Sequence, residues 1–261
     1  MSRAALLTTA SLLVMLAGFS AALAADIPKP PVTPKVIVPV TPPAVSAANA
    51  KIGIFGGSID GDHGWGVDGS VSLPIHQQWG LQIDGLGGSA GGQSFWGVGG
   101  HLFTRDPRSH LVGIYASWVD WSPVGAQVGK VGVEAEFYHD SWTFSGLIGA
   151  QSGDFSGITG AANIALYLHD NLKLDGGYRF LNGIGNIGDL GIEWQHDTSG
   201  LALFARGSWG ENGYSTVVGG LKFYAGPQKT LIRRNREDDP DSTLKLDLVQ
   251  TPPSAITTCA D

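Results

Sequence analysis

At residues 172–180 the chain reads LKLDGGYRF. The even positions of this stretch carry apolar side chains or glycine, whereas the odd positions include Lys173, Asp175 and Arg179. A period of two is the pattern of a β-strand whose two faces meet different surroundings. The stretch therefore predicts a strand with one apolar face and one charged face.

The same alternation recurs from about residue 51 to residue 226 and predicts twelve strands. Their lengths are close to the roughly 9–11 residues that a tilted strand needs to cross a bilayer. The sequence therefore predicts an all-β fold, a single antiparallel up-and-down transmembrane β-barrel. The predicted strands span about 51–58, 64–74, 79–88, 94–104, 110–119, 129–138, 142–151, 157–168, 172–182, 187–195, 201–210 and 215–225.

Charged residues avoid the aliphatic side of the alternation in the strand centres. Lysine or arginine facing lipid costs about 2–4 kcal/mol at mid-depth, so this sorting is expected in a membrane. Acids and bases are nearly balanced, which fits either a structural network of ion pairs or a pore lining that sets selectivity. The predicted lumen-lining residues are Asp68, Asp84, Lys130, Glu134, Glu136, Lys173, Asp175, Arg179, Glu193, Arg206 and Lys222, with Asp189 on the same side.

Alternation alone does not distinguish a membrane barrel from a soluble one, but the tryptophans do. Seven of them lie near strand ends on the aliphatic side, as expected for indoles at the headgroup level. Trp121 is predicted to lie in a loop. The predicted aromatic girdle consists of Trp65, Trp79, Trp96, Trp118, Trp142, Trp194 and Trp209.

Composition narrows the class of protein further. Charged residues make up 15% of the chain and the mean hydropathy is +0.06, whereas a helical membrane protein needs apolar runs of about 20 residues. A net charge of −7 gives no indication of nucleic-acid binding. The single Cys259 excludes a disulfide within the chain, and we find no metal or cofactor motif.

Four segments are predicted along the chain. Residues 1–24 resemble a secretory signal peptide, with Arg3 followed by an apolar stretch and an A-x-A cleavage site; an uncleaved anchor helix is the alternative. Residues 25–48 contain seven prolines and predict a periplasmic linker, which can also reach up and plug the lumen. Residues 49–226 form the barrel, and residues 227–261 form a charged, solvated tail. Both extensions are predicted to be disordered.

Two turn families alternate along the barrel. Turns such as 139–141 and 169–171 contain His-Asp, whereas the other family is rich in glycine and includes 88–92 and 210–213. An even strand number brings both termini to one side, which for an exported chain is the periplasm. The His-Asp turns are therefore assigned to the periplasm and the glycine-rich loops to the outside, where no segment is long enough to fold inward as a constriction.

The last strand, VVGGLKFY at residues 217–224, resembles the terminal signal of bacterial outer-membrane β-barrel proteins. The ADIP segment after the cleavage site and RRNREDDP at residues 233–240 resemble envelope proteins of alphaproteobacteria. This resemblance implies an outer-membrane location and porin-like character. Its implied partners are outer-membrane lipids, the barrel-assembly machinery and a cell-wall or periplasmic partner reached through the tails.

Three functions are weighed on these residues. The first is a passive pore for small solutes, since inward Gly97, Gly99, Gly113, Gly132 and Gly177 leave space in a charged lumen. The second is a non-conducting structural envelope protein. The third is an outer-membrane lipid hydrolase, which would need a base such as His101 beside Ser70 or Ser72 and has no motif in its favour. A pore without catalytic activity is the prediction.

Overall fold

A computed structural model of the protein describes residues 41–122, 125–182 and 185–240. These residues form a closed antiparallel barrel of twelve strands in which sequence neighbours pair. The predicted fold class is therefore confirmed. The strands are β1 (Asn49–Ile59), β2 (Asp62–His76), β3 (Trp79–Ala90), β4 (Gln93–Asp106), β5 (His110–Trp121), β6 (Ala126–His139), β7 (Trp142–Gly153), β8 (Gly157–His169), β9 (Leu172–Leu181), β10 (Gly185–Gln195), β11 (Leu201–Gly210) and β12 (Ser215–Ala225).

The first and last strands close the barrel. They pair from Ala50 opposite Ala225 to Ile59 opposite Thr216. A short helix α1 (Leu231–Glu237) follows β12. The predicted signal peptide, the linker up to residue 40 and the segment from residue 241 onward, including Cys259, lie outside the described residues.

The barrel has two chemically different ends. We call the end where β1 begins and β12 finishes the terminal end, and the opposite end the loop end. At the terminal end, the tight turns include Asp140 and Asp197, both with positive φ, a conformation that aspartate tolerates better than most residues. The predicted His-Asp turns at 139–141, 169–171 and 196–198 lie at the terminal end, together with the turns at 76–78 and 106–108 of the same family.

The two sides of the strand alternation have separated as expected. Ile52, Leu190 and Ile192 are between 44% and 62% exposed on the exterior, whereas Glu193 and Lys222 are buried inside. A continuous apolar exterior of this kind is unfavourable in water and is the surface that a barrel presents to lipid. No helix within the described ranges is long and apolar enough to span a membrane.

Candidate functional site

The lumen contains three layers, which we name by their chemistry. An apolar layer lies at the loop end, a charged layer lies in the middle, and a polar mouth lies at the terminal end. Because every strand is twofold periodic, each contributes interior side chains to more than one layer. The charged layer holds most of the predicted lumen-lining residues.

One cluster in the charged layer centres on Glu193, which is 2% exposed. Its carboxylate accepts hydrogen bonds from Lys222 Nζ at 2.7 Å and from Tyr224 Oη at 2.5 Å. Lys173 Nζ lies 3.6 Å from the same carboxylate and 3.9 Å from Asp175. Strands β9 and β12 thus supply donors that compensate the buried charge of Glu193 on β10, as a dry interior requires.

A second cluster joins β9 to β10 and β11. Arg179 donates from Nε and Nη2 to the two carboxylate oxygens of Asp189 at 2.6 and 2.7 Å, and Ser208 Oγ donates to the same group at 2.6 Å. This bidentate geometry is the strong form of an ion pair. Lys130 and Arg206 are half-buried on the same interior face.

His101 forms the third cluster and is 1% exposed. Its Nε2 lies 2.8 Å from Asp84, and its Nδ1 lies 2.9 Å from Glu134. Both ring nitrogens therefore face carboxylates, and neither is left to accept a proton from a serine hydroxyl. The nearby Ser72 donates to Gln82 instead. His101, the base that a lipid hydrolase would need, is thus held between two carboxylates.

The remaining predicted residues line the same interior. Glu136 accepts a hydrogen bond from Tyr138 Oη at 2.7 Å. Asp68 is half-buried, and its Oδ1 has no hydrogen-bond partner. All the predicted lumen residues lie on the interior side of their strands. Lys173, Asp175, Glu193 and Lys222 contact one another, whereas Asp84 and Glu134 are joined through His101. The arrangement is a network of local pairs around the wall.

A cavity of about 150 Å³ lies where the charged layer meets the apolar layer, and it is large enough for several water molecules. Its lining includes Asp68, Glu134, Asp175, Arg179 and Arg206 together with Phe55, Leu86 and Phe204. Among the predicted inward glycines, Gly177 lines this cavity. A Cβ on Gly113 would approach Glu134 to 3.0 Å, and one on Gly132 would approach the Tyr115 ring to 2.8 Å. Gly113 and Gly132 therefore make room for neighbouring side chains and not for open space.

The apolar layer fills the interior of the barrel at the loop end. Phe95 and Trp121 stack with ring centroids 4.3 Å apart, and Ile59 and Ile187 are fully buried beside them. Trp121 is therefore the last residue of β5, pointing inward, and the prediction that it lies in a loop is wrong. Phe155, from the turn between β7 and β8, also packs against this layer. A loop-end residue does fold inward, although the loop itself is short.

The aromatic girdle forms two belts on the exterior. Trp79, Trp142 and Trp194 lie near the terminal end, and Trp65, Trp96, Trp118 and Trp209 lie near the loop end. All seven are between 39% and 62% exposed. Two tryptophan belts separated by aliphatic side chains match the two headgroup levels of a bilayer.

The segment after β12 covers the polar mouth. The sequence predicted that this segment would be solvated. We call residues 226–240 the cap. Leu231 is fully buried, and Arg234, Asp238 and Asp239 are between 2% and 3% exposed. The expectation of a solvated tail is therefore wrong for this part of the chain. Asp239 pairs with Lys51 of the barrel, whereas Arg233 pairs with Glu237 and Lys229 with Asp238 within the cap.

Arginines of the cap sit over tyrosines of the mouth. The Arg236 guanidinium lies 5.2 Å from the Tyr138 ring centroid and 5.8 Å from that of Tyr167, and Arg234 lies 5.2 Å from that of Tyr224. Stacking of this kind is favourable for guanidinium groups. Three tyrosines on β6, β8 and β12 thereby form the receiving surface for the cap.

The cap also makes charge-assisted contacts on its inner side. Lys229 Nζ lies 2.6 Å from Asp238, and Lys51 of β1 pairs with Asp239. Burial raises the pKa of Asp239 although Lys51 acts in the opposite sense. For Glu237, burial acts to raise the pKa, but hydrogen bonds from Arg233 and Lys229 outweigh it and the pKa is lowered.

Residues before β1 take part in the same closure. Ala44 and Val45 are fully buried against Phe103, Leu111 and Tyr138. The Ser46 hydroxyl donates to Asp238 at 2.6 Å, so this segment contacts the cap as well as the barrel. The end of the predicted linker, residues 41–48, is thus part of the mouth.

Comparisons with known proteins agree with the fold. No protein-family model matches this sequence, and no curated protein matches it. The structure is similar to that of a KdgM porin in complex with disordered oligogalacturonate, with a TM-score of 0.53 and 9% identity over 67% of this chain and 98% of that chain. A second KdgM porin structure gives a TM-score of 0.52 and 9% identity over 68% and 98% of the two chains.

Outer membrane phospholipase A from Escherichia coli gives a TM-score of 0.48 and 10% identity over 70% of this chain and 93% of that chain. At these identities, similarity to the porin structures shows the fold alone. That fold is the outer-membrane β-barrel that the sequence predicts, and the class is confirmed.

Proposed function

We propose that this protein is an outer-membrane channel that passes small polar solutes or ions through its charged layer. The observation that carries the proposal is the charged lumen around a cavity. Buried ion pairs are weak contributors to stability, and apolar packing of equal volume is often as stable or more stable. A purely structural barrel would gain no stability from this many buried charges. A path for solutes, in contrast, needs polar groups along it.

The proposed orientation follows from the two ends. The terminal end, where residues 41 and 240 bound the described chain, faces the periplasm, and the loop end faces outward. The partners of the exterior are then outer-membrane lipids, which contact the aliphatic band and the two tryptophan belts. Insertion of the chain by the barrel-assembly machinery belongs to the same proposal.

Charge substitution in the charged layer tests the channel. We expect Glu134→Gln to shift the ion preference of the conducting state toward anions, and Arg206→Gln to shift it toward cations, because each removes one fixed charge from the cavity lining. The measurement is the reversal potential of single channels in a planar bilayer under a salt gradient. Strong applied voltage is included in order to sample openings.

The matched control is Arg108→Gln, which changes an exposed turn at the terminal end and leaves the lumen intact. A channel whose reversal potential is the same in all three variants would contradict the assignment of the charged layer to the solute path.

A second function is favoured by a specific observation, the closure of both ends by the apolar layer and the cap. A non-conducting envelope protein would have this interior and would act through its outer surfaces, with the chain termini reaching a cell-wall or periplasmic partner. Such a barrel would stay silent in bilayers even when cap and charged layer are altered. Its loss would still make cells more sensitive to detergent.

A further inference from the structure

We infer that the cap, residues 226–240, is a removable plug whose docking in the polar mouth closes the charged layer at the terminal end, in series with the apolar layer at the loop end. This inference rests on the proposed channel function. It goes beyond that function because it assigns the closure of the terminal end to one segment and to named contacts.

The cap is attached so that it can leave without damage to the barrel. The β1–β12 ladder is complete up to Ala225 opposite Ala50, and the cap begins at the next residue. Gly226 has a φ of 125°, a conformation that favours glycine, so the chain turns sharply out of the sheet there. No backbone pairing of β12 with its neighbours is lost when the segment beyond Gly226 moves.

The contacts that hold the cap are mainly polar, and water can replace them. Arg236 donates to the backbone carbonyls of Asp140 at 2.8 Å and Trp142 at 2.6 Å. Gln195 donates to the Lys229 carbonyl at 2.8 Å, and Asn171 accepts from the Leu231 backbone N–H at 3.0 Å. Leu231 is the fully buried apolar anchor among them. Polar contacts of this kind exchange with water at small net cost, unlike an apolar core.

The far end of the cap reaches the charged layer. Gln82 Nε2 donates to the Pro240 carbonyl at 3.2 Å and to Asp84 at 2.9 Å. Asp84 in turn binds His101. The cap therefore lies directly across the entrance from the polar mouth to the charged layer, and its departure would expose that layer to the solution at the terminal end.

The test uses the full chain with Arg236→Gln and Asp239→Asn combined. Together these changes remove the guanidinium that bridges two tyrosines and the carboxylate that pairs with Lys51. The matched control is Arg233→Gln on the same helix, because Arg233 is exposed and its side chain contacts only Glu237 among the hydrogen bonds found in the described residues. Two readouts are taken on each protein: bilayer conductance, and cleavage after Lys229 by a lysine-specific endoprotease, which does not cut at the arginines of the cap.

Lys229 reports cap position independently of conduction, because it is 6% exposed when the cap is docked. For the double variant we expect cleavage after Lys229 and open probability both to rise by about tenfold or more, as loss of charge-assisted hydrogen bonds implies. The Arg233→Gln control should match the unmodified protein in both.

Three results would overturn the inference. Equal conductance in the unmodified protein and the double variant, with Lys229 newly cleaved, would show that the cap does not control a conducting path. If all the proteins with a released cap were silent, the channel proposal itself would fall with it. If Lys229 stayed protected in the double variant, the named contacts would not be what holds the cap.

Discussion

Replacing Glu193 with glutamine is expected to lower the free energy of unfolding of the barrel by about 3–5 kcal/mol, the cost of removing one partner from a buried ion cluster. In the native barrel this carboxylate compensates Lys222, 2.7 Å away, and Lys173, 3.6 Å away. An amide at the same position carries no charge, so the buried Lys222 ammonium would lose its carboxylate and Lys173 would keep only Asp175, 3.9 Å away, among the ion pairs described above. The measurement is urea unfolding of the protein refolded in lipid vesicles.

A double-mutant cycle separates the charge from the loss of packing. Glu193→Gln combined with Lys222→Met removes the acid and one of its bases, and should recover a large part of the lost stability, since neutral packing replaces an uncompensated charge. The exposed pair between Asp106 and Arg108 gives a second comparison, where Asp106→Asn should change the free energy of unfolding by about 1 kcal/mol or less. Equal losses for Glu193→Gln and Asp106→Asn would show that the Glu193 cluster does not stabilise the barrel.

Sequence reasoning recovers the wall of this barrel well because the wall is built from local alternation. The alternation within each strand identifies the side chains that face lipid. A shift of the strand register by one residue would expose charges such as Glu134 or Lys173 to acyl chains. The turn chemistry adds strand boundaries, as Asp140 and Asp197 show. Neither signal requires knowledge of residues distant in the sequence.

The contents of the lumen depend on distant contacts and are harder to predict. Arg234, Arg236 and Asp239 have the composition of a solvated tail, and their partners on β1, β6, β8 and β12 are between 10 and 188 positions away. The sequence nevertheless contains a signal that the terminal end is covered. Tyr138, Tyr167 and Tyr224 all take the interior side of the alternation at the terminal end, where a water-filled mouth has no need of buried rings.

The same reasoning applies to the apolar layer. Phe55, Phe95 and Phe204 lie on the interior side of their strands and are between 2% and 8% exposed. The charges on the interior side of the strands predicted a polar lumen, and these aromatic side chains were not part of that prediction. Because large apolar side chains on an interior face have nothing to contact but each other, their presence predicts a filled segment of the lumen.

Placing a lysine at Ile192 is expected to destabilise the folded barrel by about 2–4 kcal/mol in a bilayer, and to lower the yield of folded protein in vesicles, because the ammonium group would sit on the lipid side of β10. Ile192 is 44% exposed on the exterior, beside Glu193 on the interior, so adjacent residues of one strand test opposite faces. The measurement is again urea unfolding in vesicles, with heat-modifiable gel mobility to count folded barrels.

The matched control is Ser94→Lys, which adds the same charge to the exterior side of β4 but on the loop-end side of Trp96. At that depth the added lysine reaches headgroups and water, and the expected loss is about 0–1 kcal/mol. The difference in stability between the two variants therefore measures how the medium around the barrel changes with depth, and not how well a strand tolerates lysine. In a water-filled environment, an exposed lysine at position 192 would be as harmless as one at position 94, and equal stabilities would mean that lipid does not surround this barrel.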